Sequence, residues 1–299
     1  MARRRTGRKI DGWVILDKPH GMSSANAVAR VRRILGARKA GHAGTLDPLA
    51  TGVLPIALGE ATKTVPFIMD ASKDYAFTLA WGEARTTDDA EGAVTARSDI
   101  LPDAAAVDAA LGAFIGTIEQ VPPAYSALKV AGERAYALAR AGAAPALAPR
   151  RVTIERLERL DHDPAARHTR FFVRCGKGTY IRALARDLAA ALGTVGHLAA
   201  LRRTRVGPFS IDRAISLEML AELGHGAPAE ARVLPVMTAL DDIPALAVTD
   251  AEAARLRQGQ SLRLPTATEG RLCILCGERP VAIAEAHTGL VRPLRVFNL

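Results

Sequence analysis

The chain has 299 residues, 49% of them apolar and 24% charged, with 17 Pro and 25 Gly. That composition excludes a collagen-like, low-complexity or mostly disordered protein and leaves room for one large core or two smaller ones. The longest apolar runs, such as Val53 to Leu58, fall far short of the roughly 20 residues of a membrane span, the basic start Met1–Lys9 leads into no apolar segment, and three cysteines form no disulfide framework, so a soluble protein of the reducing cytoplasm is expected.

In chain order, Gly12–Asp17 reads as a short strand and Ser23–Leu35 as a helix capped by Ser23 or Ser24, with Val28, Val31, Ile34 and Leu35 on one stripe. Residues 38–52 (RKAGHAGTLDPLATG) carry three Gly, a Pro and no usable period, which predicts a long loop of the kind that is usually functional. Tyr75, Phe77, Leu79 and Trp81 alternate on one face of a half-buried strand, and Pro102–Phe114 looks helical. Residues 126–151 are rich in Ala and Arg with little to bury, and their stretch AGAAPALAP predicts a mobile arm. Strands are expected at Arg151–Leu160 and Arg170–Cys175. A helix follows from Thr179, with Ile181, Leu184, Leu188 and Leu192 inward and Arg182 and Arg186 on another face, then a short helix over Ser216–Leu223. After residue 240 the pattern changes to short strands, Leu272–Cys276, Pro280–Ala286 and Val291–Phe297, around one helix near Thr249–Arg257. The expected division is a domain over residues 1–240 and a small β-rich domain over 241–299.

The net charge of +9 is segregated. Residues 1–40 hold 11 Lys/Arg against 2 Asp/Glu, residues 41–120 hold 4 against 12, residues 121–210 hold 16 against 6, and the remainder 9 against 11. Two basic blocks around an acidic one suggest a polyanion surface, RNA or DNA, assembled from distant segments; an arginine-rich genomic composition gives the same totals.

Most motif-like clusters have plainer readings. Cys273 and Cys276 lack a second pair and the spacing of a zinc site, and read as ordinary sheet cysteines. Asp88, Asp89 and Glu91 lack the alternating ligands of a calcium loop and read as a solvated turn. Cys175–Thr179 is not a phosphate-binding loop, because Gly178 stands where Ser or Thr is required. No hydrolase, metalloprotease or dinucleotide signature occurs, so no metal and no nucleotide cofactor are expected. Asp47 remains, in the long loop, preceded by Arg38, Lys39 and His42. An Asp before Pro is often only a turn former, but a carboxylate among cations stays ionised, as a nucleophile or base must. Tyr75 and Tyr180, beside Lys73 and beside Lys177 and Arg182, are either core rings or platforms for an extruded base.

Read together, Leu16–Ser24 (LDKPHGMSS), Ala40–Pro55 (AGHAGTLDPLATGVLP), Gly59–Lys63 (GEATK), Lys73–Tyr75, Tyr125–Lys129 (YSALK), Gly176–Arg182 (GKGTYIR) and Leu201–Arg203 closely resemble the TruB family of bacterial tRNA pseudouridine synthases, in the family's order over residues 10–210. The resemblance implies a mixed α/β fold on a curved, mostly antiparallel sheet flanked by helices, with a small PUA-like C-terminal domain. It also implies isomerisation of uridine 55 in the tRNA T-arm by base flipping, with Asp47 as the essential carboxylate. His42 would contact displaced nucleotides, Tyr75 would stack on the target base, Tyr180 and Leu201 would wall the pocket, and Arg182 would pair with the carboxylate. Lys18 and Pro19 fall on a block of structural character, and residues 126–151 on an arm that closes over RNA. A monomer acting on tRNA without cofactor is implied. The rival readings are a non-enzymatic RNA-binding or tRNA-folding chaperone, and a base-excision glycosylase.

Overall fold

A computed structural model describes residues 7–126, 129–130, 133–134, 147–224, 227–265 and 268–299. Most of the expected arm therefore lies outside the described residues. The elements are β1 (Gly12–Lys18), α1 (Ser24–Ile34), β2 (Ala40–His42), β3 (Thr51–Leu58), α2 (Val65–Asp70), β4 (Lys73–Trp81), β5 (Glu83–Arg85), β6 (Val94–Arg97), α3 (Ala104–Leu111), β7 (Gly116–Gln120), β8 (Lys129–Val130) and β9 (Glu133–Arg134). There follow β10 (Arg150–Asp163), β11 (His168–Cys175), α4 (Ile181–Ala191), β12 (Gly196–Val206), β13 (Phe209–Ser210), α5 (Leu217–Glu222) and α6 (Ala227–Glu230). The chain ends with β14 (Ala245–Ala247), α7 (Asp250–Arg257), β15 (Leu262–Arg263), β16 (Gly270–Cys276), β17 (Arg279–His287) and β18 (Leu290–Val296).

A nine-stranded sheet in the order β1-β3-β12-β4-β11-β10-β7, with β2 on β3 and β13 on β12, carries the fold. Its pairs are antiparallel except β12 with β3, so it is the mostly antiparallel mixed α/β sheet expected. The alternation in β4 sends Tyr75, Phe77, Leu79 and Trp81 into one apolar cluster with Val31 of α1, Val107 of α3 and Leu184 and Leu188 of α4. Phe77 and Phe171 stack there with ring centroids 5.0 Å apart. Each large apolar side chain withdrawn from water in this way contributes about 1.5–3 kcal/mol.

Helix starts follow local chemistry. Ser23 accepts from the Asn26 N–H at the head of α1, and Asp103 accepts from Ala106 at the head of α3, which begins two residues later than the pattern suggested. Two elements differ from expectation. The stretch 38–52 is not wholly irregular, because Ala40–His42 pairs with Leu58–Ile56 and covers the edge of β3. Strand β12 has no clean alternation in sequence because bulges at Ala199 and Thr204 break its period.

The last strands form a five-stranded sheet, β14-β16-β17-β18-β15, over which α7 packs with Thr249 and Glu252 in a reciprocal cap. The other face of β1 and β3, through Trp13, Ile15 and Val53, shares an apolar cluster with Cys273, Ile283 and Phe297 of this sheet. Polar clips reinforce the contact: Lys63 Nζ donates to the Val296 carbonyl at 2.7 Å, and the Asn298 N–H donates to Glu60 at 2.7 Å. Cys273 is buried against Met237, while Cys276 reaches Asp250, so the two cysteines have separate surroundings.

Candidate active site

The loop after β2 is held from below by α1. The buried Ser24 hydroxyl donates to the Leu46 carbonyl at 2.9 Å and accepts from the Leu46 N–H at 2.8 Å, which leaves Asp47 beyond the helix end with its side chain 43% exposed. Lys18, fully buried at the end of β1, donates to the carbonyls of Pro19 at 2.9 Å and Met22 at 2.7 Å and so closes the turn that follows it, whose Gly21 N–H meets the Pro48 carbonyl of the loop at 2.8 Å. Burial brings its pKa down to about 8, against the attraction of Asp47. From the far side Arg203 of β12, also buried, donates to the carbonyls of Val53 at 2.7 Å and Gly44 at 2.9 Å. The close approach needs glycine at Gly52: its φ is +98°, and a Cβ there would fall 2.1 Å from the Arg203 carbonyl oxygen.

Asp47 pairs with Arg182, Nη2 to Oδ2, at 2.9 Å. Arg182 stands on another face of α4 than Leu184 and Leu188, as its spacing suggested, and that face is closed to solvent at Arg182. It lies buried in the first turn of α4, where its guanidinium also donates to the carbonyls of Thr87 and Tyr125, both at 2.9 Å, and faces Asp89 at 3.5 Å. Asp89 is equally buried, its side chain 4% exposed, and is held by the Thr87 hydroxyl and the Glu91 N–H. The run at 88–91 is thus a turn with Glu91 exposed, but Asp88 and Asp89 are drawn inward instead of solvated. Asp88 meets Arg186 at 2.8 Å, and burial raises its pKa despite that partner. A buried cation shared between a buried carboxylate and a half-open one holds the latter in a fixed orientation.

A cavity of about 590 Å³ opens over this pair, and Asp47, Tyr75, Tyr180, Arg182 and Leu201 all line it, with Lys73, Ser126, Arg150, Arg151 and Arg203. Tyr75 stands opposite Arg203 in the β4–β12 register, and burial raises the pKa of its phenol. Tyr180 precedes α4, anchored by its N–H on Gln120 Oε1 at 2.8 Å, and burial raises its phenol too. Lys73 caps α2 by donating to the Met69 and Ala71 carbonyls, and its amine is lowered to about 8 by burial. His42 alone of the expected residues does not line the cavity. It lies on β2, its Nδ1 buried without a hydrogen-bond partner, with burial and Arg203 lowering its pKa.

Five of the six expected residues therefore meet at one cavity, and the sequence reading missed Asp89, Ser24 and Arg203. Arg203 stood in the Leu201–Arg203 block but had no role read for it. Nothing in local spacing marks Asp89. The charge segregation also resolves differently: Arg159, Arg174, Lys177, Arg182, Arg186 and Arg205 pair with Asp108, Asp74, Asp70, Asp47, Asp88 and, for Arg205, again Asp74. Six basic residues of the block 121–210 thus pair with carboxylates of the acidic segment, some of them at the surface. Arg150 and Arg151 line the cavity with no carboxylate partner among the described residues.

No described helix is long and apolar enough to cross a membrane. The chain matches the family model of the TruB family pseudouridylate synthase N-terminal domain over residues 32–181 and that of the tRNA pseudouridylate synthase B C-terminal domain over residues 182–242. It is 54% identical to the tRNA pseudouridine synthase B of Caulobacter vibrioides, covering 100% of both chains, and 55% identical to that of Bradyrhizobium diazoefficiens, covering 99% of this chain and 88% of the other. Among solved structures it resembles one in a Cbf5-Nop10-Gar1 complex, with TM-score 0.74, 26% identity, and 95% and 84% of the two chains covered. A structure of an H/ACA RNP bound to a substrate RNA containing 2′-deoxyuridine shares the fold, with TM-score 0.75, 24% identity and coverage of 100% and 92%.

Fold and relatives together define an RNA-modifying isomerase, a pseudouridine synthase. The chain belongs to the TruB family of tRNA pseudouridine synthases.

Proposed function

We propose that this enzyme converts uridine 55 of the tRNA T-arm to pseudouridine, with Asp47 as the essential carboxylate. The observation that carries the reading is the 2.9 Å pair of Asp47 with buried Arg182, on the floor of a cavity walled by Tyr75, Tyr180 and Leu201. The reaction breaks the N1–C1′ bond of uridine and forms a C5–C1′ bond, with the C5 proton lost and N1 protonated. A stacked, paired base cannot do this, so the nucleotide is flipped out at a cost of a few kcal/mol. Stacking on Tyr75, worth about 1–3 kcal/mol per base, offsets part of that, and Arg150 and Arg151 offer phosphate contacts at the rim. Asp47 acts on the ring, on the sugar carbon, or on the ribose 2′ proton, while Arg182 holds the carboxylate aimed at the cavity.

No electron is transferred and no water consumed, so the reaction calls for no cofactor or metal; we take the enzyme to act as a cytoplasmic monomer. Residues 1–240 would be the catalytic domain, 126–151 the arm closing on the stem-loop, 241–299 a small module touching RNA, and His42 a contact to nucleotides displaced beside the target. The test incubates a T-arm transcript with the wild-type protein and with Asp47→Asn, and reads pseudouridine by carbodiimide adduct and primer extension. Wild-type product at position 55, with turnover by Asp47→Asn below about a hundredth of wild type and binding within a few-fold, is expected. Turnover by Asp47→Asn above about a hundredth of wild type would refute the role of Asp47, and free uracil as product would favour a glycosylase.

A further inference from the structure

Arg203 and Arg205 are two positions apart on β12, and in a regular strand both would project from the same face. Here they do not. Arg203 is opposite Tyr75 of β4 and Arg205 is opposite Asp74, the residue before it, because Thr204 is an extra residue that bulges out of the ladder. The bulge sends Arg203 to the cavity, where it ties down Gly44 and Val53 on either side of the Asp47 loop. Arg205 goes to the opposite face of the sheet.

On that face Asp74 receives an arginine from each neighbouring strand. Arg174 of β11 donates from Nε to Oδ1 and from Nη2 to Oδ2, both at 2.9 Å, and Arg205 donates from Nε to Oδ2 at 2.8 Å and from Nη2 to Oδ1 at 2.9 Å. Four N–H groups fill the acceptor sites of one carboxylate whose side chain is 8% exposed. Arg205 also donates to Ser72 Oγ and the Gly207 carbonyl, and the Thr204 hydroxyl donates to the Asp74 carbonyl at 3.3 Å. Two bidentate forks meeting on one carboxylate tolerate no slip of register, and fixing register is the best-attested use of such near-buried ion pairs, since apolar replacements often stabilise as well or better.

We propose that Asp74, clamped by Arg174 and Arg205, is a register lock that holds the Thr204 bulge and thereby keeps Arg203 turned toward the cavity and the Asp47 loop in position. None of the three lines the cavity, so they are positioning residues that act through Arg203. The catalytic half of this inference rests on the proposed role of Asp47; the structural half does not.

The experiment compares wild type, Asp74→Asn, Arg205→Lys and Glu158→Gln, the last breaking an ion pair with Arg156 elsewhere on the same sheet face. Hydrogen exchange of peptides covering residues 43–55, read by mass spectrometry on the free protein, is measured beside kcat and KM for tRNA. Asp74→Asn is expected to speed exchange across 43–55 by about tenfold or more, with peptides of β17 unchanged, and to lower kcat by at least about tenfold with KM within about twofold. Arg205→Lys, which keeps the charge but loses the fork, should lie between, and Glu158→Gln should match wild type. If Asp74→Asn does not fold, Arg205→Lys decides by the same readouts. Wild-type exchange over 43–55 in the clamp variants would overturn the lock, and so would a rise in KM at unchanged kcat, which would make the clamp an RNA contact. If wild type forms no pseudouridine, the functional reading fails while the exchange data still decide the lock.

Discussion

Replacing Ser24 with Ala removes one oxygen that satisfies two buried backbone groups at once, the N–H and the carbonyl of Leu46. A buried polar group left without a partner costs about 1–3 kcal/mol, and alanine in the first turn of α1 returns about half a kcal/mol of helix propensity. The expected loss is therefore about 1.5–5.5 kcal/mol. With an unfolding entropy of about 2.1 cal/mol/K per residue over the whole chain, that lowers the melting temperature by roughly 2–9 °C. The same change frees the residue before Asp47, and a misplacement of about 1 Å at a reacting group can cut turnover by roughly a hundredfold. Urea unfolding followed by the fluorescence of buried Trp13 and Trp81 gives the first number, and single-turnover pseudouridine formation gives the second. Ser24→Thr, which keeps a hydroxyl at that place, should recover most of both. A Ser24→Ala protein that melts within a degree of wild type and turns over normally would refute the reasoning, since it would show the loop to be held by something other than this pair of bonds.

Asp89→Asn removes the buried carboxylate facing Arg182; because breaking a buried charge pair typically costs about 3–5 kcal/mol, both thermal stability and kcat should fall, and unchanged kcat would mean that Asp47 and the Thr87 and Tyr125 carbonyls align the guanidinium without Asp89. Asp74, which its two arginines hold at about 2 instead of 3.8, carries a stabilisation present above pH 3.8 and lost as pH falls toward 2. It amounts to roughly 2 kcal/mol. The stability gap between wild type and Asp74→Asn should therefore be wide at pH 5 and narrow near pH 2, and a gap independent of pH would contradict the pairing. Reversing Arg150 and Arg151 to Glu should weaken tRNA binding and flatten its log–log salt dependence between about 50 and 300 mM, with kcat at saturating tRNA little changed; an unaltered slope would exclude them as phosphate contacts.

What could be read from the chain before folding was whatever depends on local periodicity or on a contiguous motif. The alternation of Tyr75, Phe77, Leu79 and Trp81 is the inner face of β4, and Ser23, one of the two caps expected for α1, sits where that helix starts. The cavity residues Asp47, Tyr75, Tyr180, Arg182 and Leu201 were legible because each lies in a short recognisable block. Strand β12 was not, since two bulges erase the period of two by which strands are recognised. Those same bulges turn Arg203 inward, so the feature that hid the strand is also the one that builds the site.

Charge shows most clearly what a linear reading cannot supply. An acidic stretch at 88–91 has the composition of a solvated turn, and only its closure over α4 makes Asp89 a buried partner of Arg182. Because residues 41–120 and 121–210 lie against each other in adjacent strands and their loops, their opposite charges pair with one another: Asp74 against Arg174 and Arg205, Asp88 against Arg186, and, at the surface, Asp108 against Arg159. A basic block counted along the chain therefore overstates the field that RNA meets. The cations left for phosphate are those the fold leaves unpaired, and Arg150 and Arg151 qualify because β10 begins at the rim of the cavity and neither forms an ion pair among the described residues. Steering of RNA by this protein should accordingly depend on its unpaired cations, among them the two rim arginines and the exposed Arg30, Arg32, Arg33 and Arg38, rather than on its net charge of +9.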